Sequence, residues 1–274
     1  MTHNHDGSLR VDNVDVHVAR KRILQQVSLA ATTGNRIGLC GPNGSGKSTL
    51  LRAIFGAVTP AAGRVWVGGE DTARLSRREI AHRIGVVLQD RPQDFDFTVH
   101  DVVTMGRTSH HRLFDGRGEQ HEQIVDDAVD QVGLTHLQHR SFNTLSGGEK
   151  QRALLARCIA QETNLVMLDE PTNHLDIRYQ LDTLELVTSL STTAIMALHD
   201  LNLAAAYCDH IYLINEGEIA AHGATADVLT PQAIREVFGV HADVRTNPTT
   251  GNPEFSFSRL GQPHRTVRPA METV

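Results

Sequence analysis

GPNGSGKST, residues 41–49, is the stretch on which the fold turns. It satisfies G-x-x-x-x-G-K-[ST], and its surroundings suit that pattern: the apolar run 36–40 reads as a strand and 47–57 as a helix. In such a strand–loop–helix the glycines let backbone N–H groups curl around a phosphate chain, and the helix N-terminus adds the positive end of its dipole. Lys47 is placed to neutralise β- and γ-phosphate oxygens and Ser48 to ligate Mg²⁺. Gly41, Pro42, Asn43, Gly44, Ser45, Gly46, Lys47, Ser48 and Thr49 are therefore candidate contacts to a nucleotide. A dinucleotide loop would space its glycines as G-x-G-x-x-G, which these do not.

Working outward, LRVDNVDVHV and ILQQVSLA upstream alternate as antiparallel strands with one buried face. Downstream come a strand in RVWVGG, a turn and helix in EDTARLSRREIAHR, and a buried strand in IGVVLQ. From Asp90 to about Asn143 the pattern becomes polar and helical, as in VHDVVTMGR and EQHEQIVDDAVDQVG, and reads as an insertion. LVMLD and TAIMAL are two further apolar strands with a helix-length stretch between them, the alternation of a parallel sheet with crossover helices. A hairpin in IYLINEGEIAAHG and a helix in PQAIREVFGV follow, before a tail rich in Pro, Thr, Asn and Gly.

Two more stretches carry chemistry. Asp169 and Glu170 end the run LVMLDE, where adjacent side chains leave a strand on opposite sides. One can join a magnesium shell while the next poises a water, and two like charges so placed argue for a cation. In LSGGEKQR, residues 145–152, Ser146 is a candidate N-cap, and the paired glycines allow Ser146, Gly147 and Gly148 to offer N–H groups and a hydroxyl to an anion.

Composition sets the limits. The 274 residues are 21% charged and 40% hydrophobic, ordinary for a globular chain, and no apolar run approaches the roughly 20 residues that cross a bilayer. The formal charge of −6, from 26 Lys and Arg against 32 Asp and Glu, gives no global basic field, so nucleic acid is not an expected partner. Cys40, Cys158 and Cys208 are odd in number and show no C-x-x-C spacing, which suits a reducing cytoplasm, and the start MTHNHDGSLR lacks the profile of an export signal. Among the sixteen histidines, the pairs His3/His5, His110/His111 and His136/His139 invite a metal reading. The latter two pairs lie in polar stretches without Cys or carboxylate partners and are expected to be solvated.

Together these motifs resemble those of ATP-binding-cassette (ABC) ATPase subunits over nearly the whole chain: GPNGSGKST as Walker A, Gln89 in VVLQD as the Q-loop, LSGGEKQR as the signature, LVMLDE as Walker B, NHLD at 173–176 as the D-loop, and His199 in ALHD as the switch histidine. The resemblance implies an α/β phosphate-loop core with a mixed sheet, an N-terminal antiparallel β-subdomain and an inserted helical subdomain. One domain over 1–274 is expected, with core 8–89 and 161–244, helical subdomain 90–160 and tail 245–274. It also implies a head-to-tail pair of copies, each ATP held between Walker A of one and the signature of the other, with Glu149 beside that signature site. Lys47 would hold phosphates; Ser48, Gln89 and Asp169 would organise Mg²⁺; Glu170 would activate water and His199 would stabilise the transferring phosphoryl group. Where the family stacks adenine on an aromatic, this sequence has Val18, with His17 beside it as the candidate stack.

FTVHDVVTMGR, LARCIAQETNLVMLDEPTNHLDIRYQ and DVLTPQAIREVFGV are most similar to ferric-siderophore importer ATPases, with haem and cobalamin importers as alternatives. The implied partners are permease subunits and, indirectly, an extracytoplasmic substrate-binding protein, with the chain peripheral at the cytoplasmic face of the membrane. A soluble cassette ATPase of DNA repair or translation is the alternative of another class. Its usual long coiled coil or second cassette is not in this sequence, which has one copy of each motif and no sustained heptad run.

Overall fold

The computed structural model describes residues 6–88, 96–110 and 118–261. Three sheets form. β1 (Leu9–Val18) and β2 (Lys21–Ala31) pair antiparallel from Leu9↔Ala31 to Val18↔Lys21, as their alternation predicts. Then β3 (Arg36–Cys40) opens a second sheet and runs into the loop that precedes α1 (Lys47–Ile54). The expected helix through residue 57 stops earlier because Gly56 takes φ 79°, a left-handed conformation that ends the helical run. β4 (Ala62–Val67) and β5 (Glu70–Asp71) complete the first sheet in the order β2-β1-β4-β5.

The helix expected in EDTARLSRREIAHR is only the five-residue α2 (Arg77–Ala81), started by a Ser76–Glu79 capping box, and β6 (Ile84–Val87) follows it. Next come α3 (Val99–Thr104), α4 (Gly118–Gln131) and α5 (Gly147–Ala160), which pack on one another through Val102, Val125, Val129 and Leu154. The chain returns to the second sheet with β7 (Leu165–Asp169), α6 (Ile177–Ser189), β8 (Thr193–Leu198), α7 (Leu201–Tyr207), β9 (His210–Asn215) and β10 (Glu218–Ala224). The strand order is β10-β9-β3-β8-β7-β6, parallel except for β10, so the sheet is mixed. α8 (Thr225–Val228) and α9 (Pro231–Phe238) precede a separate hairpin, β11 (Val240–Thr246) with β12 (Pro253–Arg259). Most of that hairpin lies in the stretch that composition marks as tail.

Alternation along the strands divides the interior in two. Leu165, Met167, Ile195 and Ala197 face the layer that holds α1 and the first sheet, while Val166, Leu168, Met196 and Leu198 face the helical side. With both faces covered, β7 and β8 are buried at every position, which is why each reads as an unbroken apolar run. Among the described residues no helix is long and apolar enough to cross a membrane.

At the opposite end of β3 from the loop, Arg36 donates to Asp209 from its backbone N (2.8 Å) and from Nε (3.0 Å) and Nη2 (2.5 Å). These bonds, the guanidinium's first, hold the Asp209 carboxyl below its usual range. The pair is partly exposed, so solvent screening limits it to about 1 kcal/mol. A depressed carboxylate stabilises the fold above its unfolded pKa and loses that contribution as pH falls through the folded value. Arg36→Ala should therefore lower stability by about 1 kcal/mol at pH 7, and urea titrations should show the difference from the parent vanishing once Asp209 is protonated.

The histidine expectation needs one correction. His110 is half-buried: its Nε2 meets Gln161 O at 2.9 Å and its ring packs edge-on against His82, centroids 4.6 Å apart. The turn at 105–107 folds the chain back onto α2, which a local reading of polarity does not show. His136 and His139 are exposed, and His3, His5 and His111 lie outside the described residues.

Candidate functional site

α1 begins unlike its neighbours. α2, α3, α5, α6, α7 and α9 each start under a capping side chain, from Ser76, Thr98, Ser146, Asp176, Asp200 and Thr230. The cap of α1 is Gly46, in a left-handed conformation (φ 111°) with no side chain to offer. Its first N–H groups are thus left for an anion, at the positive end of the helix dipole. A Cβ at 46 would also stand 2.6 Å from Leu24 Cδ2, so that side chain would have to shift to admit one.

Lys47 is only 4% exposed, and its Nζ donates to Gly41 O (2.8 Å) and Pro42 O (3.0 Å), folding the ammonium into the loop. Burial pulls its pKa below the usual lysine value, and the charges of Glu170 and Asp169 oppose that pull. Ser45 is buried in the same loop with a hydroxyl that has no hydrogen-bond partner, and its carbonyl accepts from Gly217 N at 3.0 Å.

The end of β7 brings two acidic groups to this loop, and the end of β8 brings His199. Ser48 Oγ donates to Asp169 Oδ1 at 2.9 Å. Asp169 is 3% exposed, and burial pushes its carboxyl up; the Ser48 hydroxyl pulls it down, and the neighbouring Glu170 pushes it up again. A divalent cation reverses such a penalty, and the donor set fits Mg²⁺: two hard oxygens, one from a hydroxyl and one from a carboxylate, beside a loop built for phosphate.

Glu170 sits where the chain leaves the sheet, at φ 54°, its N donating to Ala197 O at 3.2 Å. The turn sets its carboxylate in a clamp: His199 Nε2 binds Oε1, and Asn173 Nδ2 donates to Oε2 at 2.5 Å. A carboxylate only accepts, so His199 carries its proton on Nε2 in this pair. The sequence assigns Asn173 no role of its own; its place three residues after Glu170, in a turn closed by Asn173 N to Glu170 O (3.1 Å), is the signal that could have found it.

The structure thus gathers residues 41–49, Asp169, Glu170 and His199 at the carboxyl ends of β3, β7 and β8, where open α/β sheets bind ligands. The signature stands apart on α5. Ser146 and Glu149 form a capping box, Ser146 N to Glu149 Oε2 at 2.7 Å and Glu149 N to Ser146 Oγ at 3.3 Å, and the first of these holds the Glu149 carboxyl low. That box leaves the N–H groups of Gly147 and Gly148, the first two helical positions, outside it. His17 is exposed near the tip of the β1–β2 hairpin, opposite Arg22, with Val18 48% exposed beside it. Since Leu24 packs on Gly46 and a Cβ on Gly217 would meet Ile23 O, this hairpin end stands next to the loop. Gln89 lies outside the described residues.

Sheet, loop and paired carboxylates define a phosphate-loop nucleotide-binding protein of the α/β class. Comparison narrows this: the profile of the ABC transporter family (ABC_tran) matches residues 24–173, and the chain belongs to that family. It is 43% identical over 248 residues to the cobalamin import ATP-binding protein BtuD of Halobacterium salinarum, covering 89% of this chain but 62% of that protein, so it spans under two thirds of that relative's length. It is 37% identical to the ferric enterobactin transport ATP-binding protein FepC of Escherichia coli, covering 89% of this chain and 92% of FepC, and 41% identical to the hemin import ATP-binding protein HmuV of Bordetella pertussis, covering 88% and 96%. Among solved structures, a transporter described as of metal-chelate type, in an inward-facing conformation, superposes with a TM-score of 0.80 at 29% identity over 92% of this chain and 98% of that one. The cbiO1 part of the cbiONQ complex of Clostridium perfringens gives 0.71 at 27% over 83% and 92%.

Proposed function

We propose that this chain hydrolyses ATP with Mg²⁺ in a head-to-tail pair of copies at the cytoplasmic face of a membrane, and that hydrolysis drives import of a ferric siderophore through a permease. The observation that carries the reading is the juxtaposition of two pairs, Ser48–Asp169 and Glu170–His199, over one phosphate loop. Lys47 exchanges its two carbonyl partners for phosphate oxygens, and the uncapped N-terminus of α1 binds the same anion. Ser48 and Asp169 would hold Mg²⁺, which would supply charge neutralisation to the phosphate chain. Glu170 takes the proton of the attacking water while Asn173 and His199 fix its direction, and the His199 N–H is the donor beside the transferring group. Gln89 joins this set on its motif alone. Gly147 and Gly148 serve the ATP of the second copy, which accounts for their separate mounting on α5.

A permease partner is supported by the import ATP-binding relatives and by a groove of about 660 Å³ between the end of α1, α2 and the α3–α5 layer. Phe55, Ile80, Ile84 and Met105 line it, with Arg77 and Arg78 beside them, a lining suited to an amphipathic permease segment. The siderophore rests on the enterobactin relative, matched over 92% of its length. Cells whose only copy carries Lys47→Ala should fail to take up a ferric siderophore while still using haem. Loss of haem use with intact siderophore uptake would transfer the substrate to the haem class, and unchanged uptake of both would remove the chain from iron import.

A further inference from the structure

The signature helix and the turn after Glu170 come from different parts of the chain and meet through one ring. Gly148 is buried at the second position of α5, and a Cβ on it would stand 2.9, 3.1 and 3.2 Å from Cγ, Cδ1 and Cδ2 of Tyr179 on α6. Near-equal distances to both Cδ atoms put Gly148 over the near end of the ring rather than at one edge. Arg152, one turn along α5, lies over the same ring, 5.6 Å from its centroid, and donates from Nη1 to Val132 O at 3.1 Å. From below, Tyr179 is anchored by its backbone N on Asp176 Oδ1 (3.1 Å), and Gln180 Nε2 ties the preceding turn at Leu175 O (3.1 Å). The same turn carries Asn173, which holds Glu170.

We propose that Tyr179 is a positioning residue for hydrolysis: its ring is the seat on which the signature end of α5 rests, tying the Gly147 and Gly148 N–H groups to the turn that holds Glu170 in the same chain. The proposal rests on the head-to-tail reading above, in which those N–H groups serve the other copy's ATP. Gly148 is then glycine because a ring stands behind it, whatever lies in front. Each chain braces its own catalytic turn against the element it lends to its partner, so closure at one ATP is felt at the other. The contact is made by the ring, so phenylalanine should replace tyrosine and alanine should not.

The test is ATP-driven dimerisation in a Glu170→Gln background, followed by analytical ultracentrifugation, with a fluorescent ATP analogue reporting nucleotide binding by the monomer. Tyr179→Phe should dimerise within about 2-fold of the parental ATP requirement, while Tyr179→Ala should need about 10-fold more with analogue binding unchanged, the scale that small misplacements of a positioned group produce. With Glu170 intact, Tyr179→Ala should also bring the Hill coefficient of hydrolysis down toward one. Should Tyr179→Ala lose analogue binding, Tyr179→Leu, which keeps bulk without a flat face, is judged by the same criterion. Dimerisation of the Ala or Leu variant at the parental ATP concentration overturns the seat, as does a Phe variant no better than Ala. If Glu170→Gln itself stays monomeric at saturating ATP, the head-to-tail reading fails and the seat falls with it, a result distinct from the other two.

Discussion

Glu170→Gln is expected to keep ATP bound and to slow its cleavage about 10²–10⁴-fold, the range that loss of a general base produces. The substitution is nearly isosteric, so the turn at φ 54° and the Asn173 contact have no reason to move. His199 can change tautomer and accept from the new amide, which keeps the clamp closed. What disappears is the capacity to take a proton, together with the Nε2–H that the other tautomer offers beside the transferring group. A second effect has the opposite sign for binding: the Glu170 charge pushes the Asp169 carboxyl up, so its removal favours the ionised Asp169 that a cation needs. ATP affinity should therefore be equal to the parent's or tighter while phosphate release collapses, and the pair should persist as a nucleotide-bound dimer in sedimentation. Single-turnover phosphate release at the parental rate would take Glu170 out of the chemistry.

The residues that read clearly in the sequence are those whose role is local. The phosphate loop is legible because strand, glycines and helix are contiguous, and β7 and β8 because burial on both faces leaves no polar position to obscure them. β11 and β12 are illegible for the converse reason: Ala242 and Phe255 are the single buried residue of each strand, so no alternation survives. The anchor there is remote, with Asn202 on α7 accepting from Phe255 N at 2.7 Å and donating to Phe255 O at 3.2 Å. His110 follows the same rule, since its burial comes from α2 and Gln161 rather than from its neighbours in sequence. Tyr179 is the strongest case. Nothing in NHLDIRY marks the ring as functional, and only its approach to Gly148, 31 positions earlier, does so.

Remote placement also explains why the site is divided as it is. The Ser48–Asp169 pair, Glu170 and residues 41–49 sit at the ends of β3 and β7, beside β8, strands whose positions are locked by parallel pairing from Arg36↔Ala194 to Asp169↔Ala197. The signature is on a helix that packs mainly with α3 and α4, and it meets the turn that holds Glu170 through the Tyr179 ring. Groups assigned an exact proton-transfer geometry stand at strand ends, and the group that the head-to-tail proposal brings from another copy is on a separate layer.

Lys47→Ala should abolish measurable hydrolysis and reduce ATP affinity, with little change in folding stability. The two effects separate because Nζ has two kinds of work. In the protein alone it donates to Gly41 O and Pro42 O, and burial has already lowered its preference for charge. Deleting it loses two bonds but also removes a desolvated ammonium, so the net cost to folding is small. In the proposed nucleotide complex the same group meets phosphate oxygens through charge-assisted bonds of about 1.5–3 kcal/mol each, and two such bonds correspond to a loss of about 10²–10⁴-fold. The charge is needed most where negative charge concentrates on the transferring group, so turnover suffers more than binding. Lys47→Arg should fail almost as badly, because a site that leaves lysine 4% exposed has no room for a planar guanidinium. Nucleotide titration, turnover and thermal melts on the three proteins decide it: hydrolysis by the alanine variant at the parental rate would refute the phosphate role of Lys47, and a melt lowered by more than a few degrees would show that the loop needs the ammonium to fold.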